Sequence, residues 1–419
     1  MNYYLIINII GVAVFLGIAF LFSKDHKHVN WRSVIVVLVL NLVIAFLLTR
    51  FSWGRDAVKG AAEGFNWIVQ VAYTGIAFAL PNWVHVKQMN FVTSALLPIL
   101  MIVPLFDILT YFGILPFIIK WIGIALSKIT GQPKFESFYA VEMMFLGNTE
   151  ALAVSSLQLK HLSADRLLTI AMMSMSCITA AIVGSYTQMI PGQYVLTAIP
   201  LNILNAIIVT SLLNPVHVTP EEDTIATMNE QPSEQVAEET VADKPEKPKK
   251  EPFFSFLGDS ILGAGKLVLI IAANVIAFVA LANLISKLLG LINPWLSLQH
   301  LLGIVMFPFA WLMGMDVNHA FQFAQYMGTK LVTNEFVVMG AIAPHINNLH
   351  FFPAHYQAQL CVFLTSFANF STVGMVIGCL KGLVSREKND VISRNVGYLI
   401  LSGILVSLLS AGIVGLFVW

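Results

Sequence analysis

The chain has 419 residues, 57% of them hydrophobic and only 11% charged, with a mean hydropathy of +0.79. Soluble domains carry about 25% charged residues, so this composition describes an all-α polytopic membrane protein. Basic and acidic residues balance to a net charge of +0, which leaves no basic footprint for a nucleic acid. The cysteines, Cys177, Cys361 and Cys379, lie in apolar segments with no CxxC pair, so no disulfide framework, zinc site or cofactor is expected.

A membrane-spanning helix needs about 20 apolar residues. In chain order the candidates are 3–22, 34–51, 91–113, 165–190, 193–213, 264–288, 356–380 and 396–418, about eight spans in all. No small-residue cleavage site follows the first, so it is read as a span and not as a cleaved leader. The basic segments SKDHKHVNWR (23–32), KPEKPKK (244–250) and KGLVSREKNDVISR (381–394) belong in the cytoplasm by the positive-inside rule. Both termini are then expected outside, in a multi-pass protein of the bacterial plasma membrane. Residues 214–253, rich in Glu, Pro and Lys, read as a disordered, solvated linker that divides the chain into halves of similar size.

The halves resemble each other. ESFYAVEMMFLGNTEALAV is followed by a segment containing SMSCITAAIVGSY, and AFQFAQYMGTKLVTNEFVVMGAI by one containing TSFANFSTVGMVIG. Each half thus has an apolar run, a polar tip with a glutamate, a second apolar run, and a helix with a polar break. The runs before the tips are too short to cross. They are read as halves of re-entrant hairpins, at about 134–163 and about 320–350, because non-helical backbone at membrane depth needs protein or a water-filled cavity around it. Inverted repeats with interrupted helices are the signature of secondary transporters, which place the substrate at the repeat interface.

A carboxylate at membrane depth costs roughly 3 kcal/mol or more on insertion scales. Glu150 and Glu335 occupy matching tips beside Asn148 with Thr149 and beside Asn334; Asn369 and Thr372 share a face in the second broken helix, with Phe367 close by. Acceptor carboxylates, amides and a ring suit a neutral, hydroxyl-rich, partly aromatic solute, and the lack of a neighbouring arginine argues against phosphates and carboxylates. Asp107 reads equally as a structural or a functional acid. Glu142 reads as a proton carrier or a helix-contact acid, Lys330 as the partner of a nearby acid, and His345, His350 and His355 as members of a solvated loop. A membrane enzyme would need a catalytic motif that is missing here, and a channel would need polar rings along a continuous pore.

With these motifs on the page, the chain resembles the concentrative nucleoside transporters over nearly its whole length. GNTEALA matches the family's G-Q-[ST]-E tip, TNEFV its N-E-F tip, and SFANFSTVG its G/S-F-A-N-F-S-S segment. The resemblance implies a homotrimeric elevator-type transporter without enzymatic activity. Scaffold helices would occupy 1–113 and the last helix of 381–419, and the repeats 114–213 and 254–380. Base contacts would fall on Asn148, Thr149 and Glu150, with Ile182 lining the base pocket; ribose contacts would fall on Glu335, Asn369 and Thr372, with Phe367 packing nearby. Asn148 stands where the family usually has Gln and is one methylene shorter, which leaves room for a larger base; Thr372 replaces the usual second Ser. Stretches such as AIPLN and LLNPVHV look like bacterial purine-nucleoside members, so inosine, guanosine or adenosine is the implied cargo, with pyrimidine nucleosides as the alternative and a free nucleobase as a more distant one.

The resemblance also bears on the driving ion. In sodium-coupled relatives an Asn side chain and a Ser or Thr side chain help hold the ion; here the corresponding positions are Met143 and Cys177. Sodium is a hard cation that favours oxygen over sulfur. The backbone carbonyls of Leu146 and Ile178 alone would make a poor site. A membrane-embedded carboxylate is a ready proton carrier, because burial favours its protonated form. Proton symport is therefore expected, with Glu335, Glu150 and Glu142 as carriers in that order, and sodium coupling as the alternative.

Overall fold

The computed structural model describes residues 3–87, 89–147, 151–152, 154–219, 222–223 and 252–419. Every regular element among them is helical. The first half contains α1 (Tyr3–Leu21), α2 (Trp31–Thr49), α3 (Ser52–Ala79), α4 (Val92–Tyr111), α5 (Ile114–Thr130), α6 (Lys134–Leu146), α7 (Ser156–His161), α8 (Ala164–Met173), α9 (Ala180–Thr187) and α10 (Gly192–Leu213). The second half contains α11 (Phe253–Ile292), α12 (Leu298–Trp311), α13 (Val317–Val332), α14 (Glu335–Ile342), α15 (Ala354–Leu364), α16 (Phe370–Leu383), α17 (Arg386–Arg394) and α18 (Val396–Gly415).

Among the described residues six helices are long and apolar enough to cross a membrane: α1, α2, α4, α10, α11 and α18. The other two expected spans, 165–190 and 356–380, are each interrupted. The first splits into α8 and α9, and the second into α15 and α16. Three helices lie outside the expected set. In α3 the charges of Arg55, Asp56, Lys59 and Glu63 lower the hydropathy; α5 is too short and carries Lys120 and Lys128; α12 has only 14 residues. The linker expectation, 214–253, falls largely outside the described residues.

Burial separates centre from periphery. The most apolar stretch of α10 is 78% buried and that of α18 67%, against 6% for the 40-residue α11. The central helices are tied by side-chain amides. Asn41 of α2 donates to Asn205 of α10 (2.7 Å), which donates to Ser410 of α18 (2.9 Å). Asn202 reaches the Thr365 carbonyl at 2.5 Å, at the end of α15. In an apolar surround such bonds satisfy groups that lipid cannot.

The ends of the bundle have different chemistry. Asn8 near the start of α1 donates to the Gly412 carbonyl near the end of α18 (3.0 Å), so both termini sit at one end. The basic segments 23–32 and 381–394 gather at the other end, and 244–250 lies outside the described residues. The Lys24 ammonium lies over the Tyr398 ring, its amide bonds Leu213, and Lys388 reaches the Lys160 carbonyl. At that end two of the linker's described residues make contacts: Asp223 accepts from the Lys134 amide (2.6 Å), and the Glu222 carbonyl from Arg166 (3.2 Å). Arg166 of α8 forms a forked ion pair with Glu136 of α6, at 2.7 and 2.9 Å, with both side chains buried.

His345 and His350 are exposed, but His355 is not part of a solvated loop. It is buried, stacks on Trp419 at 3.7 Å, and contacts the carbonyls of Val418 and Met313. Asp107 has a structural contact, accepting from the Ser260 hydroxyl to join α4 to α11. Gly314 takes φ +78°, and a Cβ there would lie 2.2 Å from the Tyr4 carbonyl oxygen. Gly314→Ala would combine left-handed strain with a backbone clash. It is expected to destabilise the protein by about 1–3 kcal/mol, read as an earlier thermal unfolding transition of the purified protein, with Gly17→Ala, which meets nothing within 4 Å, as the control.

Candidate functional site

The helix breaks create the site. At the second tip α13 ends at Val332 and α14 begins at Glu335, capped by Asn334, whose side-chain oxygen accepts from the Val337 amide (3.1 Å). In the second broken helix α15 ends at Leu364, and Asn369 caps α16 by accepting from the amide and hydroxyl of Thr372 at 2.9 and 3.1 Å. The first half repeats the device, with Thr179 capping α9 and donating to the Phe145 carbonyl at the end of α6 (3.3 Å). Asn and Thr suit these positions because their side chains satisfy first-turn amides. Two helix N-termini, those of α14 and α16, therefore meet where Glu335 sits, and their partial positive charge favours a carboxylate.

Glu335 is 2% exposed and both of its oxygens are engaged. Oε1 accepts from the Tyr186 hydroxyl of α9 (2.9 Å) and Oε2 from the Asn369 amide of α16 (3.1 Å). The group borders a cavity of about 110 Å³ that Ile182, Phe367, Asn369 and Thr372 also line. Asn334, Thr179 and Gly147 contribute, and Leu267, Ile271 and Asn274 of α11 close one wall. An acidic acceptor, an amide and a hydroxyl thus face an apolar wall and a phenyl ring. That combination binds hydroxyls at one end and a flat apolar surface at the other. Asn148, Thr149 and Glu150 lie outside the described residues; Gly147, which precedes them, is on the cavity wall.

The family model described as "Na+ dependent nucleoside transporter C-terminus" matches residues 194–415, and the corresponding N-terminus model matches 10–83. The purine nucleoside transport protein NupG of Bacillus subtilis (strain 168) is 46% identical over 99% of this chain and 100% of its own length. The chain belongs to the concentrative nucleoside transporter family. It is therefore a multi-pass membrane transporter of nucleosides and not an enzyme. The nucleoside permease NupC of Helicobacter pylori is 26% identical over 98% of this chain and 97% of its own length. The solved structure of CNTnw in an inward-facing substrate-bound state superposes with a TM-score of 0.86 over 99% of this chain and 98% of that one; at 24% identity the likeness is one of fold.

The remaining sequence candidates of this transporter separate by position. Glu142 is buried on α6 away from the cavity lining, and its carboxylate accepts from the Ser155 hydroxyl (2.6 Å), a contact between the two sides of the first tip. The acid nearest in effect to Lys330 is Glu335, with which it interacts through space without a direct ion-pair contact. The Lys330 ammonium donates to the Phe363 carbonyl (2.5 Å) and the Ser366 hydroxyl (2.6 Å), and lies 4.5 Å from the centre of the Phe363 ring. A cation at the C-terminal end of α15 is stabilised by that helix's dipole, so Lys330 holds the break from below while Asn369 caps it from above. Tyr186 was not among the sequence candidates. It lies 149 positions from Glu335, and only a tyrosine within the polar-broken segment hinted at it. Met143 and Cys177 are both buried, on either side of the Thr179–Phe145 contact.

Proposed function

We propose that the protein imports nucleosides, with purine nucleosides as its preferred cargo, by proton symport. The observation that carries this reading is Glu335, buried on a cavity and held between Tyr186 and Asn369 at two helix N-termini. Ribose hydroxyls can donate to this carboxylate, while Asn369 and Thr372 supply the complementary donors and Phe367 and Ile182 pack on the base. Asn148, Thr149 and Glu150 complete the base contacts. The name of NupG supports the purine preference. Family resemblance supports a homotrimer in a bacterial plasma membrane, an elevator movement and re-entrant hairpins at about 134–163 and 320–350. The separation of the basic segments 23–32 and 381–394 from the two termini supports a cytoplasmic linker with both termini outside.

Proton coupling rests on the sulfur side chains at 143 and 177 and on the buried acids Glu335 and Glu142, with Glu150 as a further candidate carrier. The matching family model, described as "Na+ dependent", favours sodium as the second reading. Proteoliposomes separate the two. A pH gradient without sodium should drive inosine accumulation, and a sodium gradient at equal pH should not. The opposite pattern would replace the proton by sodium. A nucleoside panel in the same vesicles tests the cargo: inosine and guanosine should compete at least as well as uridine, and Asn148→Gln should shift the preference toward uridine. Unchanged inhibition constants in that variant would take Asn148 out of the selectivity argument.

A further inference from the structure

A second cavity, of about 270 Å³, lies at the opposite end of the bundle from the basic segments 23–32 and 381–394, where α2 ends, α3 and α10 begin and residues 417–419 pack. Three cations line it. Arg50 is the C-cap of α2; Arg55 and Lys59 are one turn apart on α3. Like charges at this spacing repel by roughly 0.2–0.5 kcal/mol on a helix. None of the three forms an ion pair or a side-chain hydrogen bond among the described residues, although Asp56 and Glu63 share their helix. No acidic side chain lies on the lining among the described residues.

The backbone adds to the field. Both α3 and α10 begin here without a side-chain cap, although the Tyr194 amide already bonds the Pro191 carbonyl (3.0 Å), and Gln193 and Tyr194 of α10 bring side-chain donors to the same wall. Uncapped helix starts combined with arginines make an anion site, and guanidinium groups favour phosphate oxygens in particular. The surroundings indicate how the phosphate arrives. Phe46, Phe51 and Trp53 are exposed beside the cations, an aromatic fringe of the kind found where acyl chains meet headgroups. A basic cluster on the end that the charge rule places outside runs against the general bias, which calls for a local anion.

We propose that this cavity binds a phosphate group carried by an anionic phospholipid headgroup, gripped by Arg50, Arg55 and Lys59. The test uses the full-length protein purified in a neutral detergent, with bound lipid counted by native mass spectrometry after incubation with phosphatidylglycerol or phosphatidylethanolamine. Wild type should retain phosphatidylglycerol preferentially, and the exposed-residue variant Arg55→Gln/Lys59→Gln should retain at least threefold less. Arg55→Lys, which keeps the charge, should behave close to wild type and shows that the fold is not at issue. A parallel arm measures thermal stabilisation by inorganic phosphate at millimolar concentration. Equal lipid loads on the variant and wild type, or no preference for phosphatidylglycerol, would overturn the proposal. Stabilisation by inorganic phosphate without lipid retention would overturn the lipid source.

Discussion

Glu335→Gln is expected to lower nucleoside uptake by about a hundredfold or more while leaving a folded, membrane-inserted protein. The amide keeps the shape of the side chain but turns one acceptor into a donor. With its oxygen turned to the Asn369 amide and its NH₂ to the Tyr186 hydroxyl oxygen, the glutamine keeps the pocket satisfied, but the charged acceptor for substrate hydroxyls is lost. A buried site built to hydrogen-bond a hydroxyl loses orders of magnitude when one partner is wrong. Tyr186→Phe should be milder, roughly ten- to a hundredfold, because it removes one bond to a charged group and keeps the carboxylate. Uptake into proteoliposomes, compared with the elution profile of the purified variants, checks both. Wild-type uptake by Glu335→Gln would take the residue out of the site, and a Tyr186→Phe defect larger than that of Glu335→Gln would reverse their ranking.

Arg166→Ala should have the largest effect on folding. Each side chain of the Glu136–Arg166 pair is only 5% exposed, so truncating the arginine leaves a buried carboxylate without its cation. Such losses cost about 3–5 kcal/mol, whereas replacing both partners by apolar groups is often near neutral. Arg166→Ala is therefore expected to give little monodisperse protein, and Glu136→Met/Arg166→Met to recover most of it. Comparable thermal stability of the single variant and wild type would show that Arg166 contributes little to the fold.

The two effects differ in how far they could be read from sequence. Continuous apolar helices such as α1, α2, α10 and α18 announce themselves by length and hydropathy. The breaks in the 165–190 and 356–380 segments were visible as polar interruptions, because Thr179 and Asn369 are capping residues in otherwise apolar runs. Glu335, Asn369 and Thr372 stood out for the same reason. The amphipathic α3 and the short α5 and α12 did not, since their charges or lengths fall below what a spanning helix needs. Long-range partners were illegible. Nothing near Arg166 names Glu136 as its counter-ion, and nothing near Asn205 names Asn41 and Ser410. Tyr186 looks like any interfacial aromatic until the fold brings it to Glu335. Lys330 was recognised as needing an acid, and Glu335 is the one it interacts with, but the carbonyl and the hydroxyl that receive its hydrogen bonds leave no mark in a sequence.

The positions of Lys330 and Glu335 have an electrical consequence. They lie on consecutive helices, α13 and α14, and each is the other's counter-charge; a carbonyl and a hydroxyl accept from the cation, and a phenol and an amide donate to the anion. As a unit, the two side chains carry no net charge. In a carrier that moves this unit through the membrane field, the empty form is indifferent to voltage at these two residues. Protonating Glu335 leaves the charge of Lys330 uncompensated, and one elementary charge in a 100 mV potential is worth about 2.3 kcal/mol. A negative interior would then pull the proton-loaded form inward and let the empty form return without electrical resistance, so membrane voltage as well as the pH difference would set how far the cargo accumulates.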